Sequence, residues 1–192
     1  MSLDSIHNKT AKLGLKRNPS LIIIAIITLN AFVTSANPTE MSNSDIANLK
    51  AAFIYNFTKY ITWPNSDETK TFKIYVLGDS EIATSLQKVA QKKMINDKPI
   101  KIRNINNIQD SCSCQIVFVS ESAITKISEI ISKLGNQPIL TIGDTPQLCE
   151  QGIMINFFMQ SGQIKFEINT KRLGNSGLKV SSQLQKLARI VE

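Results

Sequence analysis

Histidine is almost absent from this sequence, the single copy among 192 residues being His7. Beyond that position the chain has no imidazole for a Ser-His-Asp or Cys-His relay, and none to offer a metal. Blocks of positive charge are also missing. No Lys/Arg run exceeds two, as at Lys92-Lys93. Nucleic-acid grooves show clustered Lys/Arg with interleaved aromatics, so no nucleic-acid partner is expected. Cysteine is scarce, with only Cys112, Cys114 and Cys149. Three cysteines without histidine fall short of a structural metal set. No metal, no cofactor and no catalytic residues are therefore expected, and the chain reads as a non-enzyme.

Long apolar runs are equally rare. The one that stands out is Leu21-Ile22-Ile23-Ile24-Ala25-Ile26-Ile27, continuing through Leu29 to Val33. It follows Lys9, Lys12, Lys16 and Arg17, and precedes the small residues Thr34-Ser35-Ala36. A basic flank, a short apolar core and a small-residue exit make a cleavable export signal over residues 1–36. The 13 residues from Leu21 to Val33 are too few for a spanning helix, which needs about 20. Cleavage near Ala36 removes four basic residues and one acid, so the net charge falls from +7 to +4 and His7 is lost. The expected location is the periplasm. There, an odd number of cysteines suggests one bridge and a spare thiol, or an intermolecular bond. A Cys112–Cys114 ring would be tight, which leaves Cys149 as the partner of either Cys112 or Cys114.

After a short polar lead (37–45), residues 46–192 read as a single domain. Ser44-Asp45 can cap a helix whose apolar positions are Ile46, Leu49, Ala52/Phe53, Phe57 and Tyr60/Ile61, ended by Trp63-Pro64. Phe72 to Leu77 predicts a strand, Glu81 to Lys93 an amphipathic helix, and Ile100 to Ile105 an alternating strand near a sheet edge. Ile116 to Val119 and Ile139 to Ile142 predict buried strands flanking a helix over Ala123 to Leu134. Ile153–Met159 and Gln163–Asn169 flank the hairpin signal Ser161-Gly162. A last helix is expected over Ser181 to Val191, capped by Ser181-Ser182 with Gln185 completing a capping box. The fold class is α/β: a three-layer sandwich with a mostly parallel sheet of five to six strands and a C-terminal antiparallel hairpin.

Several of these segments fall into a recognisable order. They are Lys50-Ala51-Ala52-Phe53-Ile54-Tyr55-Asn56-Phe57-Thr58-Lys59-Tyr60 leading to Trp63-Pro64, then Gly152-Ile153-Met154-Ile155-Asn156-Phe157. Ile164-Lys165-Phe166-Glu167-Ile168-Asn169 and Gly177-Leu178-Lys179-Val180-Ser181-Ser182-Gln183-Leu184 follow. Their order and spacing over residues 46–191 resemble the YfiR family of periplasmic proteins. The resemblance implies a regulator that represses an inner-membrane diguanylate cyclase by binding its periplasmic sensor domain, which lowers cyclic-di-GMP and biofilm formation. It also implies a mixed α/β sandwich, a homodimer as one form, and small ligands or redox state as inputs. Relatives often carry a cysteine where Tyr75 stands here, so the family's disulfide to Cys114 does not transfer. The second glycine of the Gly-Gly-Met-Ile motif is Ile153 here.

Tyr55, Asn56, Lys59 and Trp63 form one candidate partner or ligand surface, and Glu167 and Asn169 another. Each has a structural alternative. Lys59 and Trp63 are one turn apart, so the lysine stem can cover the indole, and Asn56 can be a buried polar residue. Glu167 is expected to pair with Lys165 or Arg172. Asp79 and Asp144, each after a Gly at a strand end, are expected to cap the next helix. The same strand edge is where α/β folds bind ligands, which keeps open a small-molecule sensor acting on a histidine kinase or another membrane receptor.

Overall fold

A computed structural model describes residues 41–64, 68–111 and 113–192, and the export signal expected at 1–36 lies outside them. Helix α1 (Asn43–Phe57) starts two residues earlier than expected, because Ser42 is the N-cap and its Oγ accepts from the Asp45 amide. The helix also ends six residues before Trp63. Thr58 donates its hydroxyl to the Tyr55 carbonyl at 2.6 Å, and three successive short-range amide bonds tighten the last turn. The chain then extends into β1 (Ile61–Thr62).

The order continues β2 (Phe72–Leu77), α2 (Ile82–Ala90), β3 (Met94–Ile95), β4 (Lys98–Ile105), β5 (Ile116–Val119), α3 (Ile127–Leu134) and β6 (Leu140–Gly143). It closes with β7 (Ile155–Gln160), β8 (Gln163–Asn169), α4 (Thr170–Asn175), β9 (Lys179–Val180), α5 (Ser182–Leu187) and β10 (Arg189–Val191). The main sheet has eight strands in the order β10-β8-β7-β6-β5-β2-β4-β3, more than the five to six expected. β1 and β9 form a separate antiparallel pair.

Two of the extra strands come from signals with a clear physical basis. Asn96 and Asp97 adopt positive φ (48° and 60°), the conformation of a two-residue hairpin turn, and pair β3 with the start of β4. At the other edge, α5 stops at Leu187 and Arg189–Val191 becomes β10, parallel to Glu167–Asn169. The helix expected to reach Val191 is thus cut short. Ser181 alone caps it, with its Oγ accepting from the Leu184 amide, while the Gln185 amide group turns back to the Val180 carbonyl. The Ser161-Gly162 hairpin forms as read, with φ of 51° and 73°.

β2, β4, β5, β6 and the start of β7 run parallel, and helices cover both faces. On one face, Ala51, Ile54 and Phe57 of α1 and Ile82 and Leu86 of α2 join Ile74, Phe118 and Ile142. Phe57 is the hub of this layer, 4.9 Å from Phe166 and 5.8 Å from Phe157 between ring centroids. On the other face, Ile127, Ile130 and Leu134 of α3 pack with Val117, Val119 and Tyr75. Each of these alternating faces needs its helix, because strands buried on both sides leave no face for water.

Candidate functional site

The residues singled out in the sequence separate into three places. Tyr55, Asn56 and Lys59 stay together on the outer side of α1 and the turn after it, facing α2. They line a groove of about 450 Å³ with Lys88, Lys92 and Lys93. Helix spacing explains the partnership: Asn48, Ala52, Tyr55, Asn56 and Lys59 form one stripe, and Ser85, Lys88, Val89 and Lys92 the facing one. Ser85 donates to Asn48 Oδ1 at 2.8 Å and ties the two helices at the groove floor. Asn56 is exposed rather than buried, and accepts from Lys59 Nζ at 2.9 Å. The same ammonium lies 4.9 Å over the Tyr55 ring, a cation–π contact, so Tyr55 and not Trp63 carries the lysine.

Trp63 is elsewhere. Its indole is buried at the amino-terminal end of the parallel strands, edge-on to Phe72 at 5.1 Å, and Nε1–H donates to the Gln115 carbonyl at 3.0 Å. Gln115 also accepts from the Lys73 amide through Oε1 at 2.7 Å, so indole and glutamine together lock the start of β2 against β5. That location removes Trp63 from the α1 surface.

Glu167 and Asn169 form the third place. Glu167 is 3% exposed, and its partner is Arg189 of β10 rather than Lys165 or Arg172. Its Oε1 accepts from Asn156 Nδ2 at 3.1 Å, and Asn156 also reaches the Thr145 carbonyl. The Arg189 guanidinium lies 4.2 Å over the Phe158 ring. Asn169 is structural on both sides: Oδ1 caps α4 by accepting from the Arg172 amide, and Nδ2 donates to the Cys149 carbonyl. Arg172 instead donates to the Ile131 and Gly135 carbonyls and so caps the end of α3.

Cys149 is a free, buried thiol, so the expected bridge from it to Cys114, itself buried, is not formed, and Cys112 lies outside the described residues. Cys149 Sγ–H points at the Glu167 carbonyl at 3.7 Å. Burial, and then the nearby Glu167 charge, push its pKa up to about 12, which leaves no thiolate near neutral pH. Cys114 packs in the same apolar cluster as Tyr75.

At the carboxyl edge of the parallel strands, Asp144 pairs with Lys50 of α1 at 2.7 Å instead of capping a helix. Asp79 does not cap α2 either; the N-cap Glu81 makes no side-chain cap bond, and Ser80 Oγ accepts from the Ile82 amide. The Asp79 amide itself donates to Ser122 Oγ at 2.9 Å. Gly78 (φ 83°) makes this crossing possible, since a Cβ there would lie 2.4 Å from the hydroxyls of Ser120 and Ser122. A crevice of about 360 Å³ lies at this edge, lined by Lys50, Ser80, Glu121 and Asp144.

The arrangement suits binding more than bond-making, with a cationic groove, an ion pair whose carboxylate alone is buried and a thiol shielded by burial. Among the described residues, no helix is long and apolar enough to cross a membrane. A family model described as YfiR/HmsC-like matches residues 47–189. Among solved structures, the fold is similar to an ABC domain from Streptococcus pneumonia in complex with L-Trp, with a TM-score of 0.51 and 9% identity. It is also similar to a conserved domain protein from Vibrio cholerae O1 biovar El Tor, with a TM-score of 0.50 and 10% identity. In both comparisons the match covers 76% of this chain and 60% of the other. At such identities the likeness is one of fold alone.

Proposed function

The chain belongs to the YfiR/HmsC-like family, and on that premise we propose that it is an exported regulatory protein that restrains an inner-membrane diguanylate cyclase. The family match over nearly the whole domain carries this reading. Binding the cyclase's periplasmic sensor domain would hold the enzyme inactive, keeping cyclic-di-GMP low and limiting biofilm. An export signal at 1–36, as the sequence suggests, would put the domain on the side of the membrane where that sensor lies. The lone histidine at position 7 and the masked reactivity of Cys149 fit a protein that acts by contact.

Deleting the gene should raise cyclic-di-GMP, and the mature protein should co-purify from membranes with a protein bearing a GGDEF output domain. Unchanged cyclic-di-GMP together with no such partner overturns the proposal. A homodimer through the free edge of β4 is disfavoured on charge, because Lys101 and Arg103 lie exposed along it and would meet their own copies.

The crevice holding Lys50 and Asp144 supports a second role, as a small-molecule sensor that modulates the same receptor or a histidine kinase. Its position beyond the carboxyl ends of β2 and β6 is where open α/β sheets take ligands. A thermal-shift screen over nucleotides and amino acids tests it, and the absence of any stabilising compound counts against it.

A further inference from the structure

Four lysines, Lys59, Lys88, Lys92 and Lys93, line the groove between α1 and α2, and none of its lining residues is acidic. Among the described residues, none of the four forms an ion pair with a carboxylate. All four lie at or just beyond the carboxyl end of a helix, where the aligned peptide dipoles favour cations. Each helix end is equivalent to roughly half a negative charge, so two ends answer about one of the four positive charges. About three remain uncompensated within one groove. Such an excess costs stability through mutual repulsion, and an acidic occupant would relieve it.

The floor narrows the choice of occupant. Ala52, Val89 and the Tyr55 ring are apolar, and Met94, 54% exposed, stands beside them where its carbonyl meets the Tyr55 hydroxyl. A cationic rim over an apolar floor fits a segment with an apolar ridge between carboxylates. The trough between two packed helices has the shape that accepts such a segment, often as a third helix. A flat bilayer would need protruding aromatic anchors, and the only tryptophan is buried edge-on against Phe72.

We propose that this groove is the receptor-docking surface, and that it engages an acidic, apolar-ridged segment of the membrane cyclase's extracytoplasmic domain. The proposal rests on the regulatory reading above and adds to it the surface and the chemistry of the partner.

The test uses the full mature protein and the purified extracytoplasmic domains of the host's membrane-bound GGDEF proteins. Wild type should bind one of them, with affinity falling at least tenfold between 50 and 300 mM salt, as screened charges require. The Lys88→Glu/Lys92→Glu variant should retain the wild-type melting temperature or exceed it. It should lose tenfold or more in affinity, show a flattened salt dependence, and fail to lower cyclic-di-GMP in the deletion strain. Lys171→Glu/Lys179→Glu, of equal charge change away from the groove, should bind as wild type. Undiminished binding by the groove variant overturns the docking surface while leaving the regulatory reading intact. No binding of wild type to any domain overturns both. Binding only to phosphatidylglycerol vesicles, lost in the groove variant, assigns the groove to a membrane and overturns the proposal.

Discussion

Arg189 Nε donates to Glu167 Oε2 at 3.0 Å, and Nη2 donates to the same oxygen, so a three-residue strand is fastened to its neighbour by one charge pair. The two partners are unequal. The glutamate side chain is 4% exposed and the arginine side chain 60%. Removing the arginine strands a buried carboxylate, whereas removing the carboxylate leaves a cation that water can solvate.

Arg189→Ala should therefore destabilise the domain by roughly 1–3 kcal/mol, the cost of an unsatisfied buried group. Glu167→Gln keeps the acceptor for Asn156 and should cost less. The double variant should be more stable than Arg189→Ala alone. Urea unfolding of the four proteins measures this, and strict additivity would show that the pair is not coupled.

Cys149 gives a pH prediction with a definite sign. Its folded pKa, about 12, lies above the 9.0 of an exposed thiol, so the folded state holds the proton more tightly. The contribution is whole below pH 9 and is lost as pH rises toward 12. Cys149→Ala should flatten the alkaline fall in stability over that window, at the cost of a small cavity. Native protein should also react slowly with a thiol reagent at pH 8, and quickly once unfolded. Rapid native labelling of Cys149 would contradict its burial.

The single tryptophan makes the fold optically readable. Trp63 should emit at short wavelength in the native state and shift red on unfolding, with little change when a receptor domain binds. Trp63→Phe keeps the packing on Phe72 but removes the bond to the Gln115 carbonyl, and should cost about 1 kcal/mol. Its cyclic-di-GMP control should remain. Loss of control in a stably folded Trp63→Phe would return this residue to the partner surface.

Phe57 is 1% exposed and touches rings from both strands of the hairpin. Phe57→Ala should destabilise by about 3–5 kcal/mol, and Phe57→Leu by clearly less. Calorimetry of both variants would show whether this ring organises the α1 face.

Patterning carried the sequence reading where periodicity is strong. The runs at Phe72, Ile116 and Leu140 became strands, and Ser161-Gly162 became the turn it suggests. The strands that escaped are two or three residues long, too short to display a period. β10 exists because β8 offers an open edge beside Glu167, a tertiary fact that overrides the helical spacing of Leu184, Leu187 and Val191. Ion partners escaped for the same reason. Lys165 and Arg172 are nearer to Glu167 along the chain, but the sheet brings Arg189. The lysine groove was half visible: Lys59 stood out beside Tyr55, while Lys88, Lys92 and Lys93 fell within the helix expected over Glu81 to Lys93, and only packing sets them opposite α1.

The Arg189–Glu167 fastening also sets an order in time. A polypeptide made and threaded N-terminus first presents Glu167 22 positions before Arg189. Until the later segment arrives, β8 has neither its outer neighbour nor the cation that makes its burial tolerable. The hairpin β7–β8 can close early, but the sheet's last edge waits. A chain cut between the two residues would carry its own mark of incompleteness, an acid exposed where a finished molecule hides it, and quality-control proteases would have a chemical reason to tell the two apart.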